Sequence, residues 1–276
     1  MEKKKLRRTV YLAYVWLVVL AVIFIAATYA WFTFNPTTNV TPMSSTISEG
    51  GASLLIANNP NGEFAKECTL VLDGTVTSLR PVSTVDLNRF YTAKGQNRQG
   101  ISILFADATD SINSSAMHGK VYLKSEQSAC DVYLYRSGLS LGGDAQTLAA
   151  LRLGLRISTN SGTNTYIFQL DDMGNTAGAS ATRTVPQSGT VVSAVDNSGS
   201  ASFTADPAVA LSGYMAVEQG TDGEPAAGNT VLCTLQADEV GTVEYWLYLE
   251  GCDDNCIGEV QSKDIELALA FAGVEK

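Results

Sequence analysis

The chain has 276 residues, with 18 lysines and arginines against 28 aspartates and glutamates, a formal net charge of −10. That acidity keeps a domain soluble and argues against nucleic acid or an anionic membrane surface as the partner of its body. The single histidine, His118, excludes a zinc site of the HExxH type and leaves only one ring for any Ser-His-Asp triad.

The first eight residues carry five cations, Lys3, Lys4, Lys5, Arg7 and Arg8, and no charged side chain follows from Thr9 to Ser48. The most apolar part, Val10 to Ala30, has roughly the twenty residues a helix needs to cross about 30 Å of hydrocarbon. Tyr11, Tyr14 and Trp16 at its start, and Tyr29, Trp31, Phe32 and Phe34 at its end, suit the two headgroup layers. The pattern predicts a basic cytoplasmic tail over 1–8, a membrane-crossing helix over 9–34, and everything beyond on the far side.

A secretory signal peptide shares these features. Thr28-Tyr29-Ala30 offers small residues at the third and first positions before a cut between Ala30 and Trp31. Retained anchor and cleaved signal both stay open. Removing the first thirty residues leaves 13 cations against 27 acids, a net of −14.

Residues 35–51 (NPTTNVTPMSSTISEGG) lack an apolar stripe and read as a flexible tether. Beyond it, one domain over 52–276 is expected. Short β-branched, aromatic and aliphatic runs with polar turns between them predict strands at Ala52–Ala57, Cys68–Leu72, Ile101–Ala106, Lys120–Lys124 and Asp131–Arg136. Others follow at Leu151–Ile157, Tyr166–Leu170, Thr190–Val195, Val231–Gln236, Val243–Glu250 and Ile265–Phe271.

Leu151, Leu153, Leu155 and Ile157 share one face of a strand, with Arg152, Gly154 and Arg156 on the other; Val243–Leu249 and Ile265–Phe271 alternate likewise. One packed face and one wet face point to an all-β, antiparallel β-sandwich of jelly-roll type. A short helix is expected at Val85–Tyr91, capped by Ser83 or Thr84, and a helical turn at Gln146–Leu151. From 171 to 229 the Ser, Thr, Gly, Ala and Asp content predicts long polar excursions.

The five cysteines are Cys68, Cys130, Cys233, Cys252 and Cys256, an odd number, so at least one is free or pairs between chains. Cys252 and Cys256 close a span that fits either a disulfide across a turn or a pair of reduced thiols. Glu250, Asp253 and Asp254, with Asn255, form an oxygen-rich loop of the type that suits Ca²⁺, without the DxDxDG order that would specify it; Asp171 and Asp172 are a second such place. In both, a solvated acidic turn is the plainer reading. No other cofactor is indicated, and no pair of carboxylates is nominated for hydrolysis.

His118 reads as a turn residue before a strand. Arg152 and Arg156, on one strand face, suit cross-strand pairing with Asp or Glu, or an anionic ligand. Trp246 and Tyr248, placed on the wet sheet face, suit stacking on sugar rings. The sheet edge is the remaining surface readable by physics, since a strand from the 37–48 tether or a loosened terminus can add to it.

Ala27-Thr28-Tyr29-Ala30-Trp31-Phe32-Thr33, Tyr245-Trp246-Leu247-Tyr248-Leu249-Glu250-Gly251 and the closing Phe271-Ala272-Gly273 resemble a group of Firmicutes surface proteins, the TasA and camelysin family, exported with a SipW-type signal peptide. The resemblance covers about a fifth of the chain. It implies a jelly-roll domain, cleavage at Ala30–Trp31 and assembly into biofilm matrix fibres by strand exchange. The metallopeptidase label of camelysins finds no His-based motif here.

The expectation is therefore a non-enzymatic protein on the outer side of a Gram-positive cell membrane, held by its N-terminal helix or released. Its partners are other surface proteins or itself. A glycan-binding adhesin is the alternative, and a secreted carboxylate hydrolase the second.

Overall fold

The computed structural model describes residues 40–50, 54–76, 78–96, 103–136, 139–142, 145–170, 208–219, 224–227, 230–251, 253, 256 and 265–276. The apolar segment over 9–34, the Ala30–Trp31 junction, the strand expected at Thr190–Val195, Asp171, Asp172, Cys252, Asp254 and Asn255 lie outside them. Among the described residues no helix is long and apolar enough to cross a membrane.

Residues Thr38–Lys276 form one compact unit. It contains two six-stranded sheets and little helix. The first sheet runs in the order β14 (Cys233–Leu235), β7 (Cys130–Leu134), β16 (Ile265–Glu275), β1 (Val40–Gly50), β3 (Glu67–Thr69), with β8 (Ser140–Gly142) also on β16. The second runs β11 (Val209–Ala210), β10 (Gly162–Gln169), β9 (Leu151–Thr159), β15 (Val240–Leu249), β6 (Met117–Ser125), β2 (Leu54–Ala57). Two hairpins, β4 (Tyr91–Gln96) with β5 (Ile103–Asp107) and β12 (Val217–Gln219) with β13 (Glu224–Ala226), stand outside both sheets.

Leu151, Leu153, Leu155, Ile157, Val243, Tyr245, Leu247 and Leu249 from one sheet meet Val132, Leu134, Leu267, Leu269 and Phe271 from the other in a single core. Period-2 patterning puts them there, since alternate side chains of a strand share a face. In β6 the alternation is complete from buried Met117 to buried Ser125. The helical turn expected at Gln146–Leu151 is present as α1, Ala145–Ala150.

Three expectations change. Val40–Gly50, read as tether, is β1, parallel to β16 and antiparallel to β3, with an irregularity between Pro42 and Ser45. Its Ser/Thr content hid it, because strand formation here comes from backbone pairing on both sides rather than an apolar stripe. The sheets are consequently mixed: β1 with β16 and β10 with β11 are parallel.

Second, the helix expected at Val85–Tyr91 is a run of bends entering β4. Thr84 Oγ1 accepts from the Leu87 N–H (3.0 Å) and Asp86 Oδ1 from the N–H groups of Asn88 (2.9 Å) and Arg89 (3.2 Å). Such side-chain acceptors compete with helical pairing. Leu87 takes φ 57°, and its side chain fills the hole over Gly154, where a Cβ would lie 2.6 Å from Leu87 Cδ2.

Third, the outer face of the second sheet is not wet along its whole length. Val82, Leu87, Phe90, Ala108, Ile112 and Ala116 close over Ile167, Trp246 and Tyr248 as a second core. Backbone pairs fasten this cover: Val82 N–H to Leu249 O (3.0 Å), Gly251 N–H to Val82 O (2.9 Å) and Arg80 N–H to Ser115 O (2.9 Å).

Candidate functional site

Cross-strand register decides which polar side chains meet. On the outer face of β6, β15 and β9, Glu244 lies opposite both Lys120 and Arg156, and Trp246 lies opposite His118 and Gly154. Glu244 is the hub. Its Oε1 is 2.9 Å from His118 Nε2 and 3.5 Å from Lys120 Nζ, and its Oε2 accepts from Arg156 Nη1 at 3.0 Å.

Arg156 also donates to the Leu87 carbonyl (2.6 Å) and Asn88 Oδ1 (2.7 Å), so it ties the cover to the sheet. The other imidazole nitrogen, His118 Nδ1, lies 2.6 Å from Asn113 Oδ1 and 3.5 Å from Asp73 Oδ2. His118, read as a turn residue, is thus a strand residue bridging sheet and cover. The His118 ring stacks on Trp246 at 4.8 Å and 8°, and Arg156 Cζ sits 4.9 Å from the indole centroid. The pairing expected for Arg156 is found.

Burial pushes the Glu244 carboxyl up, but the hydrogen bond with His118 and the charges of Lys120, His118 and Arg156 outweigh it, holding the group below the usual carboxylate range. A folded value below the unfolded one gives stability that is present above the unfolded pKa and is lost as pH falls through the folded value. Glu244→Gln is therefore expected to flatten the fall in urea midpoint on acidification from about pH 6 to about pH 2. An unchanged slope would refute the role of this carboxylate.

At the end of β15 a second polar group is fully enclosed. Arg152, 1 % exposed, donates from Nη2 to Asp253 Oδ2 at 2.7 Å and from Nη1 to the carbonyls of Ala149 (2.8 Å) and Leu151 (2.9 Å). Glu250, 2 % exposed, accepts from the Ser83 hydroxyl, and its backbone N–H reaches Ala150 O at 2.9 Å.

These contacts correct the reading of Glu250 and Asp253 as part of a solvated acidic turn. Both carboxylates face inward, because Arg152 needs a buried counter-charge and β15 stays covered to its last residue. Arg152 pairs with a carboxylate as expected, but with Asp253 of the loop after β15 rather than across the strands, where Tyr248 lies opposite it. Among the described residues no group of three or more His, Cys, Asp and Glu is arranged to hold a metal.

Trp246 and Tyr248 are 3 % and 0 % exposed, which corrects their placement on a wet face open to sugar rings. Phe90 packs on both, 6.2 Å from the Trp246 ring and edge-on to Tyr248 at 5.9 Å. Gly154 was no signal for this in the sequence, yet it marks where the cover comes close: a Cβ there would collide with the Leu87 side chain.

Cys130 and Cys233 lie on adjacent paired strands, with Cys233 opposite Val132 and Leu235 opposite Cys130. Burial pushes the Cys233 thiol up to about 12 and raises Cys130, while the half-buried Cys68 is pushed to about 11, which disfavours the thiolate at each.

Strand β1 lies inside the first sheet, Ser45 opposite Leu269 of β16 and Cys68 of β3, and Ile47 N–H donates to Lys66 O at 2.8 Å. Ser45 is 0 % exposed and its hydroxyl has no hydrogen-bond partner among the described residues. Ile47 is only partly buried against the core. Neither a family model, nor a curated protein, nor a solved structure matches this chain.

Proposed function

We propose that this chain is a non-enzymatic protein exported to the outer side of a Gram-positive cell membrane, where its two-sheet domain, a sandwich of jelly-roll type, assembles with copies of itself by exchanging β1. The placement of β1 carries this reading. The first described strand is paired along its length with β16 and at Ser44–Thr46 with β3, and a copy of the same strand from a neighbour would make the same backbone pairs.

Its composition favours release. Over Val40–Gly50 the side chains are mostly Ser, Thr, Pro and Gly, and the enclosed Ser45 hydroxyl costs on the order of 1–3 kcal/mol while it lacks a partner. β16 by contrast is buried through most of its length and stays with the core. Cleavage between Ala30 and Trp31 would free the N-terminus to leave; a retained helix would hold each domain at the membrane. The resemblance to TasA and camelysin-like surface proteins supports the same assembly.

The test is negative-stain electron microscopy of the chain beginning at Trp31, beside a variant lacking residues 31–50. Fibres from the first and none from the second are expected, with a labelled peptide of residues 38–50 entering the truncated variant. A first protein that stays monomeric at high concentration, with no peptide uptake by the second, would overturn the proposal.

A further inference from the structure

We infer that the outer edge of β10 is a self-association surface, through which a second copy of this chain pairs antiparallel about a two-fold axis. The inference does not depend on exchange of β1, which lies in the other sheet.

Within the second sheet β10 pairs on one side with β9 along its whole length, Gly162 opposite Thr159 to Gln169 opposite Arg152. On its other side β11 covers only Phe168 and Gln169. Among the described residues, no strand pairs with the outer side of Gly162–Ile167. In an antiparallel ladder alternate residues turn their N–H and C=O away from the partner, so this stretch presents a row of backbone donors and acceptors outward.

Gly162, Thr163, Asn164 and Thr165 are all exposed, and a Cβ built on Gly162 meets nothing within 4 Å. The inner-face side chains hold the strand in place: Asn164 Nδ2 (3.0 Å) and the Tyr166 hydroxyl (2.7 Å) both donate to the Leu232 carbonyl across the end of the domain. Ser158 and Thr163 hydroxyls pair at 3.0 Å on the other face. The edge is held by side-chain hydrogen bonds and open to solvent together.

Charge selects the occupant. Natural edges are commonly guarded by lysine, proline or an inward charge, and here there is none: no charged residue and no proline occurs from Ile157 to Leu170. In an acidic chain, copies repel over most of their surface. A two-fold contact sets the central residue against its own copy and the flanking residues against one another, so an edge of a single charge would repel itself whereas an uncharged edge does not. Centred on Asn164, it pairs Thr163 with Thr165 of the second copy and Thr165 with Thr163, both favourable cross-strand pairs. Two of the other edges fit less well, since β3 carries Glu67 and β2 is bridged at Ile56 by Ala65.

The test is sedimentation equilibrium of the full chain in detergent, across a range of concentrations. A monomer–dimer equilibrium is expected, with amide exchange slowing at residues 163 and 165 as concentration rises. The double variant Thr163→Lys/Thr165→Lys sets lysine against lysine at both pairs and is expected to weaken the dimer by about tenfold or more. Thr163→Val/Thr165→Val, which keeps β-branched residues, should leave it within about twofold.

A wild-type chain that stays monomeric throughout, or a double-lysine variant that dimerises as the wild type does, overturns the inference. Circular dichroism of the lysine variant checks that the exposed sites tolerate the change. Loss of β1 exchange would appear instead as absent fibres with the dimer intact, so the two failures are distinguishable.

Discussion

Alanine at Arg152 or at Asp253 is expected to cost about 3–5 kcal/mol in equilibrium urea unfolding, the largest loss from any single polar substitution in this domain. The pair is enclosed, its two side chains 1 % and 0 % exposed and 2.7 Å apart. Removing either partner leaves the other charge in a medium that cannot solvate it, which is why the loss exceeds the net value of the pair itself. The double variant Arg152→Met/Asp253→Leu should recover much of the loss, because no charge is then stranded. A single Asp253→Ala variant with wild-type stability would show that this carboxylate is not buried with Arg152, and would return it to the loop as a solvated acid.

Trp246→Ala is expected to cost about 3–5 kcal/mol, the range for truncating a large core aromatic. The indole is held between the His118 ring and the Arg156 guanidinium on the sheet and Phe90 in the cover, so its removal opens the second core and loosens the cover. The indole N–H has no hydrogen-bond partner among the described residues, so Trp246→Phe should cost much less than alanine. The sugar-stacking reading makes the opposite prediction: alanine there would spare stability and abolish binding. Thermal unfolding of the two variants separates them, and an unchanged midpoint for Trp246→Ala would remove the second core from the account.

Both predictions concern residues whose type was readable from the sequence and whose surroundings were not. The period-2 runs at Leu151–Ile157, Val243–Leu249 and Ile265–Phe271 identified strands and their inner faces because alternation is a local property of the backbone. The same pattern assigned Arg152, Trp246 and Tyr248 to solvent. That failed because a segment some sixty to seventy residues earlier than β9 folds over the outer face. Its own sequence, with Leu87 and Phe90 three apart, is equally compatible with a helix. Only the pairing of Val82 with Leu249 and Ser83 with Tyr91 shows that it lies flat as irregular cover.

The misreading of Val40–Gly50 has the same origin. A strand with neighbours on both sides gains from backbone hydrogen bonds that no composition reports. The acidic loop at Glu250–Asp254 attracted a cation reading on oxygen count alone, and it lost two of its three carboxylates to partners, Ser83 and Arg152, that lie about 170 and 100 positions away.

The sequence by itself determined the β class, most of the strands, the inner core faces and the acidity, because each depends on residues near one another in the chain. It also determined the basic, apolar and aromatic order of the N-terminus on which the membrane proposal rests. The tertiary structure alone decided the mixed sheet built on β1, the second core, the Glu244 hub and the enclosed Arg152–Asp253 pair. Each of these depends on strand register and on contacts between distant segments, and a one-residue change of register would turn every one of those side chains to the other face.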